Sequence, residues 1–177
     1  MSAAPIEAGA KLLTLVLLHD EERILLGRKK RGFGEGYYNG FGGKVEQGET
    51  IQDAAHRELK EECGVNCDVL ARIGILWFSF DDNPQPWEVH VFRSSTFRGS
   101  PIETDEMAPE WFALAEIPFG KMWADDVFWY PLMLRGQSFK GIFFFQNTHD
   151  LVKYRLFEVE DTDWAPLDRK CWNLDSL

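Results

Sequence analysis

Apolar runs along this chain are short, and polar or glycine-rich breaks separate them. Leu12–Leu18 is a continuous apolar run broken only by Thr14, which reads as a buried strand. Asp20-Glu21-Glu22 makes a polar turn, and Ile24-Leu25-Leu26 begins a second short run. Val69–Phe80 and Trp87–Arg93 read as strands flanking Asp81-Asp82-Asn83-Pro84-Gln85-Pro86, a turn by composition. Ser138–Phe145 and Val152–Val159 read as a closing hairpin, while Trp111–Ile117 fits neither period cleanly. Helical spacing is clearest from Thr50 to Glu62, with Gly64 as the C-cap. A second helix begins at Asp125 and runs to Leu134, perturbed by Pro131. Strands, a helix, more strands and another helix predict an α/β (α+β) fold: a mixed β-sheet sandwiched between helices. No internal repeat interrupts this order.

The helix at Thr50–Glu62 departs from ordinary amphipathic patterning. At about 100° per residue, Ile51, Ala54, Ala55 and Leu59 share one side. Glu58, Glu61 and Glu62 continue that same side, while Gln52, Asp53, His56 and Lys60 lie opposite and Arg57 lies at the edge. The bland alternative is a solvated charge run. Against it, the three carboxylates are mutual neighbours at i+3 and i+4 and sit towards the negative end of the helix dipole. Two like charges at 4 Å repel by about 4 kcal/mol at an effective dielectric near 20. A hard divalent cation with oxygen ligands offsets such a cluster, so this face predicts a metal site.

Length and composition narrow the picture. At 177 residues, the chain is long enough for one domain, divided by pattern into a leader (1–10), a core domain (11–160) and a tail (161–177). Its hydrophobic content of 45% supports a core, and the net charge of −10 disfavours long nucleic acid and anionic membranes as partners. No stretch approaches the roughly 20 apolar residues of a membrane span, and no secretory signal is visible in the first ten residues. Three cysteines, Cys63, Cys67 and Cys171, fit free thiols in a reducing compartment, so a cytoplasmic location is expected, with nuclear and mitochondrial fractions as alternatives. The histidines show no zinc-ligand spacing.

Seven glycines lie between Gly27 and Gly43, which demands irregular backbone or close approach to something there. The stretch contains neither G-x-G-x-x-G nor a P-loop. Gly27-Arg28-Lys29-Lys30-Arg31 is the one basic island. If it is extended, Lys29 and Arg31 share a face, whereas Arg28 and Lys30 read as solvated.

Gly43, five residues, Glu49, seven residues, then Arg57-Glu58-Leu59-Lys60-Glu61-Glu62-Cys63-Gly64-Val65 resembles the complete Nudix box. The resemblance implies a Nudix fold and hydrolysis of a nucleoside diphosphate linked to another group, with Mg²⁺ or Mn²⁺. It extends to Lys29–Gly34, Asn39–Val45, Val89–Phe92, Thr104–Met107 and Met122–Asp126. These segments are similar to family members that hydrolyse oxidised purine nucleoside triphosphates of the 8-oxo-dGTP and 2-hydroxy-dATP type. That likeness implies release of the monophosphate and pyrophosphate by a monomer that cleanses the nucleotide pool. Tyr37-Tyr38 and Trp87 depart from the expected pattern, and the tail has no expected counterpart.

The resemblance also implies roles. Glu58, Glu61, Glu62, Glu106 and the Gly42 carbonyl would hold metal. Glu62 or Glu106 would act as general base, Glu61 would share the catalytic set, and Arg57 would pair with a box carboxylate. Thr14, Lys29, Asn39, Gly42, Gly43 and Lys44 would contact substrate. Phe33, Phe41, Phe78 and Trp123 would wall a base pocket, with Asp125 and Asp126 on the base. Read without the resemblance, the aromatics are core and Asp125 is a helix cap. Rival functions are Nudix hydrolysis of another nucleoside diphosphate derivative and a catalytically silent nucleotide-binding module. RNA cap removal is disfavoured by the charge.

Overall fold

The computed structural model describes residues 9–165 and residue 167. In chain order its elements are β1 (Lys11–His19), β2 (Arg23–Lys29), β3 (Tyr38–Asn39), α1 (Ile51–Cys63), β4 (Ala71–Phe80), β5 (Asn83–Ser94), β6 (Met107–Ala113), α2 (Asp126–Leu134), β7 (Phe139–Gln146) and β8 (Asp150–Glu158). No helix among the described residues is long and apolar enough to cross a membrane. The chain divides into two compact units. One is Leu13–Arg72 with Val91–Trp123, and the other holds residues up to Leu12, Ile73–His90 and the chain from Ala124.

In the first unit, β2 is the organising strand. It pairs antiparallel with β1 (Leu18 opposite Leu25) and with β3 (Gly27 opposite Asn39). It also pairs antiparallel with β6 from Arg23–Ala113 to Lys29–Met107. This last ladder brings Lys29 beside the residue that follows Glu106. Helix α1 starts where the Thr50 hydroxyl accepts the Asp53 N–H at 3.0 Å, and it stops at Gly64, whose φ of 78° is the left-handed region. Its apolar face meets Val16, Leu18, Leu25 and Phe92 in a closed core. Ala54, Ala55 and Leu59 are fully buried, and Glu62 is buried with them.

In the second unit, β4 and β7 run parallel and β7 and β8 antiparallel, so the sheet is mixed as expected. Alternate residues divide its faces. Phe78 stacks on Phe143, Phe143 stacks on Tyr154, and Trp129 of α2 packs on Phe139. Ile75, Trp77 and Ile142 alternate with these residues and are covered instead by Phe144 and by Trp164 and Leu167 of the tail. Lys140, nearly inaccessible, donates from its ammonium to Asp163 Oδ1 at 2.8 Å and to the Ala165 carbonyl at 2.6 Å. Ser138 Oγ donates to Asp161 Oδ1 at 2.8 Å. The described part of the tail is therefore packed; residues 166 and 168–177, Cys171 among them, lie outside the described residues, as do residues 1–8 of the leader.

Three expectations change. The turn predicted over Asp81–Pro86 is only Asp81-Asp82, because β5 already begins at Asn83 with Pro84 and Pro86 inside it. Proline tolerates strand geometry where no ladder bond needs its missing N–H. The ambiguous stretch around Trp111 is the end of β6 followed by a 3₁₀ turn at Leu114–Glu116. Asp125 precedes α2, but its side chain makes no capping bond; Oδ2 accepts the Trp129 indole N–H at 2.9 Å.

Candidate active site

A polar, solvent-open cavity of about 540 Å³ lies within the first unit. It is lined by Lys29, Arg31, Gly42, Gly43, Lys44, Glu46, Arg57, Glu58, Glu61, Glu62, Thr104, Asp105 and Glu106. The carboxylates predicted from the wheel of α1 thus share one cavity with Glu106, from the loop before β6.

Local backbone explains this gathering. Thr14 N–H donates to the Gly43 carbonyl at 2.9 Å, pulling the Gly42–Gly43 segment against β1. A Cβ on Gly42 would lie 1.9 Å from the Thr14 carbonyl oxygen, so only glycine fits. A Cβ on Gly43 would lie 2.6 Å from the Glu58 carboxylate, which rests directly on this backbone. Gly42 N–H donates to Glu62 Oε2 at 2.9 Å.

Three cations order the acids. All five N–H groups of the Arg57 guanidinium are engaged. Nε and Nη2 fork onto Glu49 at 2.7 and 3.0 Å, Nη2 also reaches the Lys44 carbonyl at 3.1 Å, and Nη1 reaches Glu58 at 2.8 Å and Glu61 at 3.1 Å. No donor remains for substrate; Arg57 ties the loop carrying Lys44 and Glu49 to α1. Lys29 Nζ lies 3.3 Å from Glu62 Oε1 and 3.6 Å from Glu106 Oε2, and Arg31 Nη2 pairs with Glu106 Oε1 at 2.9 Å. The extended backbone expected through Arg31 ends at Lys29, with Arg31 in a bend beyond it, yet both side chains reach Glu106. Lys30 differs from its solvated reading: its ammonium donates to the Thr104 carbonyl at 2.7 Å and pairs with Glu103 at 2.9 Å.

Burial shapes the protonation of this set. Desolvation pushes Glu62 up to about 7 against the opposing pull of Lys29 and the Gly42 N–H. Burial also raises Glu58, with Arg57 opposing. Arg57 holds Glu49 down at about 2, and the bond from Arg31 holds Glu106 low.

Among the described residues, no three His, Cys, Asp or Glu side chains converge closely enough to hold a metal as they stand. The predicted ligands Glu58, Glu61, Glu62 and Glu106 are turned onto Arg57, Lys29 and Arg31 instead. The Gly42 contact seen here is its N–H on Glu62 rather than its carbonyl on a cation. The donor chemistry nevertheless fits a hard divalent ion: an all-oxygen set, two of its members raised by burial without full neutralisation, at the rim of a wet cavity.

The remaining predicted residues separate by place. Phe33 is half exposed and stacks on Trp123 at 4.9 Å with rings 10° from parallel, and Tyr37 meets Trp123 edge-on. Asn39 is half-buried, and its Oδ1 accepts the Gly40 N–H. Phe41 departs from its predicted role as a wall: its ring is wholly buried in the core beside Gly27. The Thr14 hydroxyl turns to the Gly43 carbonyl. Lys44 is exposed at the cavity. Phe78, Asp125 and Asp126 belong to the second unit. Both aspartates are buried, and burial raises Asp125 to about 6. The anchoring role of Glu49 and the place of Thr104 were not legible in the spacing.

A domain-family model for the NUDIX domain matches residues 11–133. The chain is 53% identical over 152 residues to the zebrafish (Danio rerio) oxidized purine nucleoside triphosphate hydrolase, covering 86% of this chain and 97% of that protein. It is 48% identical over 151 residues to the mouse protein of the same name, covering 85% and 97%. A crystal structure of a MutT protein from Bacillus halodurans superposes with a TM-score of 0.74 at 26% identity, covering 82% of this chain and 97% of that one.

Proposed function

We propose that this chain, which belongs to the Nudix family, hydrolyses oxidised purine nucleoside triphosphates to the monophosphate and pyrophosphate. The observation that carries the proposal is the gathering of Glu58, Glu61, Glu62 and Glu106 on one wet cavity, in a chain matching 97% of two hydrolases of that name. Nudix hydrolases use divalent metal ions, and Mg²⁺, with Mn²⁺ as a substitute, is the ion proposed here. Glu58, Glu61, Glu62 and Glu106 would hold it, and when bound it supplies charge neutralisation at the phosphates and acidifies water.

The chain's own groups do the rest. Lys29 and Arg31 bring positive charge to the mouth of the acidic cavity and attract the triphosphate. Glu62 or Glu106 takes the proton from the attacking water, which adds at the α-phosphorus as pyrophosphate leaves. Phe33 and Trp123 offer flat faces for the purine, a contact worth about 1–3 kcal/mol per stacked base. Asn39 offers the purine edge both a donor and an acceptor. We further propose a monomer acting on the cytosolic pool; Cys63 and Cys67, both free and buried, support a reducing compartment.

Hydrolysis in ¹⁸O-water tests the chemistry. Label in the nucleoside monophosphate alone is expected; label in pyrophosphate, or release of orthophosphate, contradicts attack at the α-phosphorus. Glu61→Gln and Glu62→Gln test the silent-module alternative: both should lose turnover while remaining folded, and unchanged turnover would sink the mechanism.

A further inference from the structure

A threonine hydroxyl has one proton to donate and two lone pairs to accept with. Thr104 uses all three. Oγ1 donates to the Glu62 carbonyl at 3.1 Å and accepts from the Glu106 N–H at 3.3 Å and the Met107 N–H at 3.2 Å. One side-chain atom is therefore bonded to the backbone of two cavity glutamates that lie 44 residues apart in sequence.

The first of those bonds falls at a place of need. Glu62 lies in the last turn of α1, where carbonyls lack intrahelical partners. The next carbonyl, that of Cys63, accepts the Ile102 N–H at 2.9 Å. The loop before β6 thus plugs the end of α1 at two successive carbonyls. On its other side the loop is pinned by Lys30, the residue after β2: its N–H donates to the Glu106 carbonyl at 2.8 Å, and its Nζ donates to the Thr104 carbonyl at 2.7 Å. The two glutamates ride on separate elements, and the Thr104 hydroxyl is the side-chain tie between them, beside the backbone tie from Ile102.

We infer that Thr104 is a positioning residue for hydrolysis: its hydroxyl fixes the placement of Glu106 relative to Glu62 by tying the loop to the helix end. Partners of this kind, one bond removed from reacting groups, are commonly worth 10- to 100-fold in activity. The effect on turnover rests on the proposed function, in which both carboxylates act; the effect on the loop backbone does not.

Thr104→Val keeps the shape and removes all three bonds, whereas Thr104→Ser keeps the hydroxyl; Thr104→Ala serves as a second hydroxyl-free variant should valine not fold. The expected result for valine is a kcat lowered by about tenfold or more with KM within about twofold, and restoration by serine to within about threefold. In the metal-free protein, amide hydrogen exchange at Glu106 and Met107 should quicken in the valine variant and stay at the wild-type rate in the serine variant. Unchanged exchange at these amides overturns the proposal. So does faster exchange with wild-type kcat, or equal loss in the valine and serine variants. Faster exchange in valine alongside a wild-type protein that turns over no nucleoside triphosphate supports the tie and instead overturns the proposed function.

Discussion

The Lys29 ammonium stands 3.3 Å from a Glu62 carboxylate that is only 3% exposed, and the pairing still leaves that acid raised to about 7 by burial. Gly42 N–H and Lys29 favour its charge, while desolvation and neighbouring Glu58 oppose it. The sign of the resulting pH dependence follows from linkage. Between the ordinary value of 4.5 and about 7, folded Glu62 holds a proton that the unfolded chain has released. Its contribution to stability therefore falls as pH rises through that window, by about 3 kcal/mol in all. Urea unfolding at pH 5 and pH 8 in the presence of a chelator checks this. Glu62→Gln should flatten the decline relative to wild type, and parallel profiles would contradict it.

Arg57 binds the loop carrying Lys44 and Glu49 to the helix through a fork that lysine cannot reproduce. Arg57→Lys should lower stability, because Glu49 loses its forked pairing and Glu58 its guanidinium partner. Denaturant midpoints measure it. A lysine variant as stable as wild type would mean that the fork does not anchor the loop.

Much of this arrangement was legible in the sequence. Helix α1 was, because Thr50 and Gly64 punctuate it and Ile51, Ala54, Ala55 and Leu59 share its core face. The gathering of Glu58, Glu61 and Glu62 on one cavity follows from the same wheel. Strand β6 was not legible: Pro109 interrupts its pattern, and its strand character comes from pairing with β2, far away in sequence. That pairing is also what sets Glu106 beside Lys29. The burial of Lys140 was hidden for a similar reason. A lysine within an apolar run reads as an outward residue until a distant segment supplies Asp163 and covers it.

That covering segment leads to an asymmetric prediction. Asp163→Leu strands a buried ammonium with only the Ala165 carbonyl, so it should lower Tm by about 5 °C. Lys140→Met replaces the charge with apolar bulk and should change Tm by less than about half as much. The double variant should recover most of the loss, as scanning calorimetry would show. Additive losses would mean that the pair does not latch the tail.

Asp125 and Asp126 are both buried, and Asp125 is raised to about 6 by desolvation, with the Trp129 indole bond opposing. Asp125→Asn and Asp126→Asn should change the preference among oxidised purines more than the Mg²⁺ concentration needed for half activity. Steady-state rates on a panel of triphosphates, with metal titrated separately, decide the matter. Equal loss on every triphosphate would argue against a role in reading the base.

The most direct measurement is competition between 8-oxo-dGTP and dGTP for the purified protein with Mg²⁺, following both by chromatography. A kcat/KM ratio favouring the oxidised base by about tenfold or more, with monophosphate and pyrophosphate as products, is the predicted result. Equal turnover of the two, or preference for dGTP, would contradict an enzyme of the oxidised nucleotide pool.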